Sequence, residues 1–307
     1  MKHLKLFFSL CLISILLNSC TVDVIEPHQH NTRQLRDVLE SYELWYVDIN
    51  ETRGYGEVPF LQKAFTISFR GGTLYANNNL VGIGSTGNGF GIDVGYYNTF
   101  DNILEVSHDI NGYWDLEVYQ ISTNKIEIYD RYSDTSYFLY GHHRSTFDYD
   151  LVFYDNIHYF LQEYEAWEKV ATIGGSANEF DNENFLQFLA GGNNSEYRSS
   201  QDVQGTAIHN LYWDYSGLYE VSNFTDTNYV KALTLDYDYF GDEYFEVTVI
   251  NDARIELYHP ASGTAYEFVG RHFIQYLKTS DGKQSTTEKK RTKTVLKDFK
   301  VESSKRQ

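Results

Sequence analysis

The chain has 307 residues, of which 17% are aromatic (27 Tyr and 20 Phe), with two cysteines and three prolines. That length is enough for two ordinary domains, and the aromatic content favours strands. The formal net charge of −18 is unevenly spread: residues 20–277 hold 39 acidic and 13 basic side chains, and residues 278–307 hold ten basic and four acidic ones. A body this acidic repels nucleic acid and anionic lipid, which excludes both as partners of the folded part.

In chain order, Lys2 and Lys5 precede a twelve-residue apolar run, Leu6–Leu17. A basic start followed by a short apolar run reads as a secretory signal over residues 1–19. The run is too short to span a bilayer, which takes about 20 apolar residues. It ends in Leu17-Asn18-Ser19-Cys20, which resembles the lipobox of bacterial lipoproteins. The resemblance implies that Cys20 carries fatty acyl chains such as palmitate and becomes the mature N-terminus. Such chains contribute about 0.8 kcal/mol per buried CH₂ and hold a protein on a bilayer. Thr21 follows Cys20, with no aspartate there, so the same pattern implies the outer membrane, on its periplasmic or its outer face. Cys11 leaves with the signal, so no disulfide is expected. Residues 20–34 read as a tether. His28 and His30 have metal-like spacing within it, but two ligands do not make a site.

A short amphipathic helix is expected next. Leu35, Val38, Leu39 and Tyr42 fall at i, i+3, i+4 and i+7. The same stripe returns at Ile157, Phe160, Leu161 and Tyr164, with Asp155 as the expected N-cap. The words LESYELW (39–45) and LQEYEAW (161–167) match at an offset of 122. Residues 112–141 and 241–270 match at an offset of 129, with Glu117, Val118, Ile121, Ile126, Glu127, Tyr129, Thr135, Tyr137 and Gly141 repeated. The chain therefore reads as a duplication, over 35–146 and 151–277, with about seven extra residues in the middle of the second copy. A loop absorbs such an insertion cheaply.

Within each copy the period is two. Phe65, Ile67 and Phe69 alternate with Thr66 and Ser68, and Gly71-Gly72 offers a two-residue hairpin turn. Residues 122–124 and 251–253 break strands at matching places. Many short strands without long helical stretches predict an all-β fold with short helices: two tandem antiparallel barrel or meander modules, each preceded by a short amphipathic helix. A short helix, a strand opening on Trp45 or Trp167, and then a meander resembles a lipocalin-like module. Glu43 and Glu165 stand where true lipocalins have the glycine of Gly-x-Trp. As a whole the chain resembles a family of bacterial envelope lipoproteins with this duplication, whose members often carry the automatic name nicotinic acid mononucleotide adenylyltransferase.

That activity would need a His-x-Gly-His motif on a dinucleotide-type α/β fold, and the chain has no such motif; Gly141-His142-His143 has a different order. Ile121–Lys125 only echoes a second phosphate motif and reads as a strand turn. Gly82-Ile83-Gly84-Ser85-Thr86-Gly87 spells G-x-G-x-x-G, but the glycines that follow cannot begin a helix, so a glycine-rich turn is expected. Copy two lacks these glycines, which makes Gly82, Gly84, Ser85, Thr86 and Gly87 the candidate ligand-binding set. The stretch Asp236–Asp242 begins like an EF-hand loop, but Val247 stands where the bidentate Glu is required, so it reads as a hairpin turn. Aromatic residues at both parities around 95–100 and 235–245 suggest either core packing or an exposed platform for a glycan or a partner's strand edge. Residues 278–307 read as a solvated basic tail. The expected function is binding or scaffolding in the envelope, with no catalytic residues, cofactor or metal. The expected partners are the lipid bilayer through Cys20 and one of a glycan, a small apolar ligand or an envelope protein, and not nucleic acid. The alternative is an enzyme, the adenylyltransferase of the family name.

Overall fold

The computed structural model describes residues 34–83, 89–189, 195–274, 291–293 and 296–299. The signal, Cys20, the tether and its two histidines lie outside them, as do Gly84, Ser85, Thr86 and Gly87. Sixteen strands form two closed antiparallel barrels of eight, each a simple up-and-down meander. The first uses β1 (Leu44–Arg53), β2 (Thr66–Arg70), β3 (Thr73–Asn77), β4 (Ile92–Phe100), β5 (Ile103–His108), β6 (Gly112–Ser122), β7 (Lys125–Asp130) and β8 (Thr135–His142). The second uses β9 (Tyr164–Gly174), β10 (Phe185–Phe188), β11 (Glu196–Ser200), β12 (Tyr215–Asn223), β13 (Lys231–Tyr237), β14 (Asp242–Asn251), β15 (Arg254–His259) and β16 (Thr264–Phe273). The pairs β1–β8 and β9–β16 close the rings and remove the free edges that an open sheet would expose.

The repeated words are explained by one constellation built twice. Helix α1 (Leu35–Leu39) ends on Leu39, whose carbonyl accepts the Trp45 indole N–H at 2.8 Å. Further on, α4 (Ile157–Leu161) ends on Leu161, whose carbonyl accepts from Trp167 at 2.7 Å. Each indole thus satisfies a helix-terminal carbonyl that would otherwise lack a partner inside the fold. The Tyr42 and Tyr164 rings meet these indoles edge-on, with centroids at 5.2 and 4.8 Å. Those rings lie over Gly141 and Gly270, where an added Cβ would come within 2.4 and 2.5 Å of them. Each glycine in turn pairs with its own Trp across the closing strands. The four positions Leu, Tyr, Trp and Gly are therefore repeated because they touch.

The barrel interiors are occupied by side chains. Trp45, Ile67, Leu74, Leu104, Leu116, Ile126 and Tyr137 are fully buried in the first, and Trp167, Leu186, Leu233, Phe245, Ile255 and Phe268 in the second. Eight strands leave an interior just wide enough for such filling. Gly71 and Gly72, both at positive φ, make the expected hairpin turn between Arg70 and Thr73. The strand breaks at 122–124 and 251–253 fall where expected. The extra residues of copy two lie between β12 and β13. Phe100 pairs with Ile103 across a two-residue turn, whereas Ser222 pairs with Ala232 across nine.

Two expectations need correction. The helical stripes are shorter than the spacing implied: Tyr42 lies beyond α1, and Tyr164 already belongs to β9. Asp155 is not the cap of α4. It ends a separate helix, α3 (Tyr149–Asp155), whose N-cap is Asp148, and Asn156 precedes α4. Asp148 caps α3 through its carboxylate, which accepts from the Leu151 N–H at 2.9 Å, whereas Asn156 makes no side-chain cap bond to α4.

The two barrels share a joint. Leu44, Phe65, Leu80 and Ile83 of the first pack into one apolar cluster with Phe153, Ile157, Phe160 and Leu161 of the second. Glu163, fully buried, accepts the Leu80 and Val81 N–H groups at 2.7 and 2.8 Å. Of the basic tail, residues 291–293 and 296–299 are described, and Arg291 is buried, unlike the solvated extension expected there. Its guanidinium donates to the carbonyls of Ala64 and Val47 and lies 4.3 Å from the Phe65 ring centre. Stacking on an aromatic face and donating to several carbonyls at once is what this planar group does best.

Candidate functional site

The connections that follow the first strand of each barrel fold across one barrel end. In barrel one this is α2 (Pro59–Lys63), with Phe60 stacked on His108 at 5.5 Å. In barrel two it is a short 3₁₀ turn, Glu179–Asn182, whose N-terminal end is closed by a reciprocal capping box between Asn178 and Asp181. Its Phe180 is buried against Phe245 and Tyr266, at 4.5 and 5.0 Å.

Around that plug, barrel two carries a buried polar set. Glu183 leaves the turn pointing inward, and the Tyr237 hydroxyl donates to its carboxylate, 2.8 and 3.0 Å from the two oxygens. Burial pushes the Glu183 carboxyl up to about 7; the neighbouring Ser199 and Tyr237 hydroxyls pull against this, and the Glu243 charge adds to it. The Tyr197 and Ser199 hydroxyls are buried here without a hydrogen bond of normal geometry among the described residues. Burial and the Glu183 charge hold both the Tyr197 and Tyr237 phenols well above the ordinary phenol range.

Lys169 enters from β9. Its ammonium donates to the Asp181 carbonyl at 2.6 Å and lies over the Tyr266 ring. Burial lowers its pKa, and the carboxylates of Asp181 and Glu183 oppose that shift. Burial also disfavours ionised Asp181, but hydrogen bonds from the Tyr266 hydroxyl, at 2.6 Å, and from the Asn178 N–H outweigh it and lower the pKa. The Tyr266 phenol rises to about 12, through burial first and then its bond to Asp181. His259 closes the ring, with Nε2 2.8 Å from Glu243 and Nδ1 2.8 Å from the Ser262 hydroxyl.

The fold does not require these groups, because barrel one does without them. Val47 matches Lys169: their N–H groups donate to Phe65 and Asn184 in the same register. The strand pairs Trp45–Ile67–Ala76 and Trp167–Leu186–Ser199 then align Ala76 with Ser199 and Leu74 with Tyr197. On the same count Ala64 stands for Glu183, and at offset 129 His108 stands for Tyr237 and Trp114 for Glu243. Buried polar groups cost free energy unless they are paired. Copy two keeps a protonatable carboxyl, a buried ammonium and two underused hydroxyls where copy one has Ala64, Val47, Leu74 and Ala76. Chemically, the set can exchange a proton near neutral pH and can both donate hydrogen bonds to a small polar group and accept them from it.

The residues singled out in the sequence are not brought together here. Gly82 has positive φ and open space where a side chain would sit, beside the Leu80–Val81 clasp on Glu163. Asp236 and Asp242 face each other across the β13–β14 hairpin, as the turn reading expects, and burial and Asp236 together raise the Asp242 pKa. Among the described residues, no group of three or more His, Cys, Asp or Glu could hold a metal ion. His142 packs on Phe147, and burial lowers its pKa, while His143 faces Glu43 at 3.9 Å. Tyr96, Phe100, Tyr113, Tyr239 and Phe240 are exposed, whereas Tyr97, Tyr237 and Phe245 of the same stretches point inward. This buried polar set near one end of barrel two, the polar mouth below, was missed because no single stretch spells it. Its signal was the list of positions at which the two copies differ in polarity, readable only once the strand register is known. No protein-family model matches the chain, and no curated protein matches it.

Proposed function

We propose that this chain is a lipid-anchored binding protein of the bacterial cell envelope. In this reading Cys20 holds it to the outer membrane and the polar mouth of barrel two takes a small polar ligand. The lipobox-like ending supports the anchor. The observation that carries the binding function is the polar set of Lys169, Glu183, Tyr197, Ser199 and Tyr237, placed in a barrel whose twin is apolar at four of the five positions. Barrel one, apolar at the matching positions, then serves as the rigid support that carries the binding barrel. The likeness to lipocalin-like modules of envelope lipoproteins agrees with a carrier of this kind. The two β-barrels offer the alternative, the adenylyltransferase of the family name, no α/β scaffold of the dinucleotide type.

Native mass spectrometry of the protein extracted gently from its membrane tests the mouth. A bound small molecule is expected on the wild type and absent from Lys169→Met/Glu183→Gln; identical spectra would sink the reading. Cys20→Ser is expected to release the protein from the membrane fraction, and unchanged fractionation would refute the anchor. No AMP transfer from ATP to nicotinate mononucleotide is expected.

A further inference from the structure

The seven residues that copy two gains between its fourth and fifth strands sit where the tail meets barrel two. Among the described residues, β11 and the residue before it reach β12 as far as Tyr219, whose N–H donates to the Ser195 carbonyl, and no described strand of the barrel lines the outer edge of β12 from Glu220 to Asn223. An uncovered strand edge is a ready template for another extended chain. Here it is taken by the chain's own residues 296–299. Asn223 donates to the Lys297 carbonyl at 2.8 Å and accepts from the Phe299 N–H at 2.7 Å, forming a parallel bridge to Asp298. The Asn223 side chain reaches the Leu296 carbonyl at 3.4 Å, and Leu296 packs against the barrel's apolar cluster. Lys297 faces Glu220 at 3.7 Å. Phe299 lies flat on Tyr244, with centroids 4.5 Å apart and planes at 10°, and meets Phe224 edge-on at 5.7 Å.

Main-chain bonds to an edge combined with side-chain contacts at defined positions are the way β-augmentation sites recognise peptides. The contacts here ask for an apolar residue, then a base, then an aromatic two positions after the base. Copy one cannot make the same site: its β4–β5 turn is only two residues, and Asp115 stands where Tyr244 provides the stacking face. We propose that the β12 edge with Glu220, Phe224 and Tyr244 is a docking site for an extended Leu-Lys-x-Phe segment of a partner protein, and that Leu296–Phe299 is its resident, self-blocking occupant. The acidic body favours a basic segment. The tail, held close by by Arg291 and Thr292, acts at an effective concentration in the millimolar range. A partner must therefore displace it rather than find an empty groove. This site is independent of both the barrel-two mouth and the lipid anchor.

Fluorescence anisotropy with a labelled peptide of residues 294–302 tests the proposal on the full mature chain. Leu296→Ala/Phe299→Ala, which empties the site and leaves its walls intact, is expected to bind the peptide roughly a hundredfold more tightly than the wild type does. The same peptide with Phe299→Ala is expected not to bind. Exchange of the Asn223 amide gives a second reading: protected in the wild type, exposed in the emptied variant and protected again by the peptide. Equal binding by wild type and variant, no binding by the variant, or an Asn223 amide that exchanges freely in the wild type would each overturn it. So would tighter uptake of the tail of a second copy than of the peptide, since that would make the site a contact between copies.

Discussion

Glu183 carries a carboxyl into a barrel whose twin has Ala64 at that place. Its pKa rises from 4.5 to about 7 on folding. Because the folded value is the higher one, the protonated acid is the form the fold favours. The associated stability is complete below pH 4.5 and is lost as the pH rises through 7. Over that window the loss is about 3 kcal/mol for a shift of this size. Glu183→Gln is expected to match the wild type near pH 4.5 and to exceed it at pH 8, as read from urea unfolding midpoints at the two pH values. Gly141 and Gly270 act through space rather than charge. A methyl at either is driven into a tyrosine ring, so Gly141→Ala and Gly270→Ala should each cost about 1–3 kcal/mol by overpacking. Thermal unfolding of both single variants checks this, and unaltered melting would mean that the rings move aside.

At the scale of elements, the period-two pattern, the turns and the duplication could all be read along the chain, because each depends on neighbours in sequence. Ile126 and Ile128 point inward between outward Glu127 and Tyr129, as their alternation requires. The helices were read less well, since the apolar stripe runs on past α1 and α4 into strands that bury the same residue types. The tryptophans anchor both elements. Trp45→Ala and Trp167→Ala should each destabilise by about 3–5 kcal/mol, as large buried aromatics do. Glu163 could not be read in advance, because its partners lie 82 and 83 residues away. Glu163→Ala would leave the Leu80 N–H buried and unpaired, at about 1–3 kcal/mol, and the half-buried Val81 N–H without its acceptor. Amide exchange at Leu80 and Val81 is expected to rise with it. The mouth escaped notice for the same reason as Glu163: its members come from the Glu179–Asn182 turn and the residue after it and from β9, β11, β13, β14, β15 and β16, and only closure of the ring brings them together.

For the whole molecule, the joint between the barrels depends on a residue from outside both. Arg291 fills a space bounded by β1, the α2–β2 segment and Asn156, where it is fully withdrawn from water and burial lowers its pKa. Arg291→Ala would strand the carbonyls of Val47 and Ala64 and loosen the shared cluster. Calorimetry of that variant is expected to show two transitions where the wild type shows one. A wild type that already melts in two steps would contradict the idea that the barrels are coupled.

Arg291 follows all sixteen strands in the chain. Every strand of both rings therefore precedes the cation that bolts them together, while the Glu163 clasp and the shared apolar cluster already join the rings without it. A product cut short before this residue would keep both rings and lack the bolt.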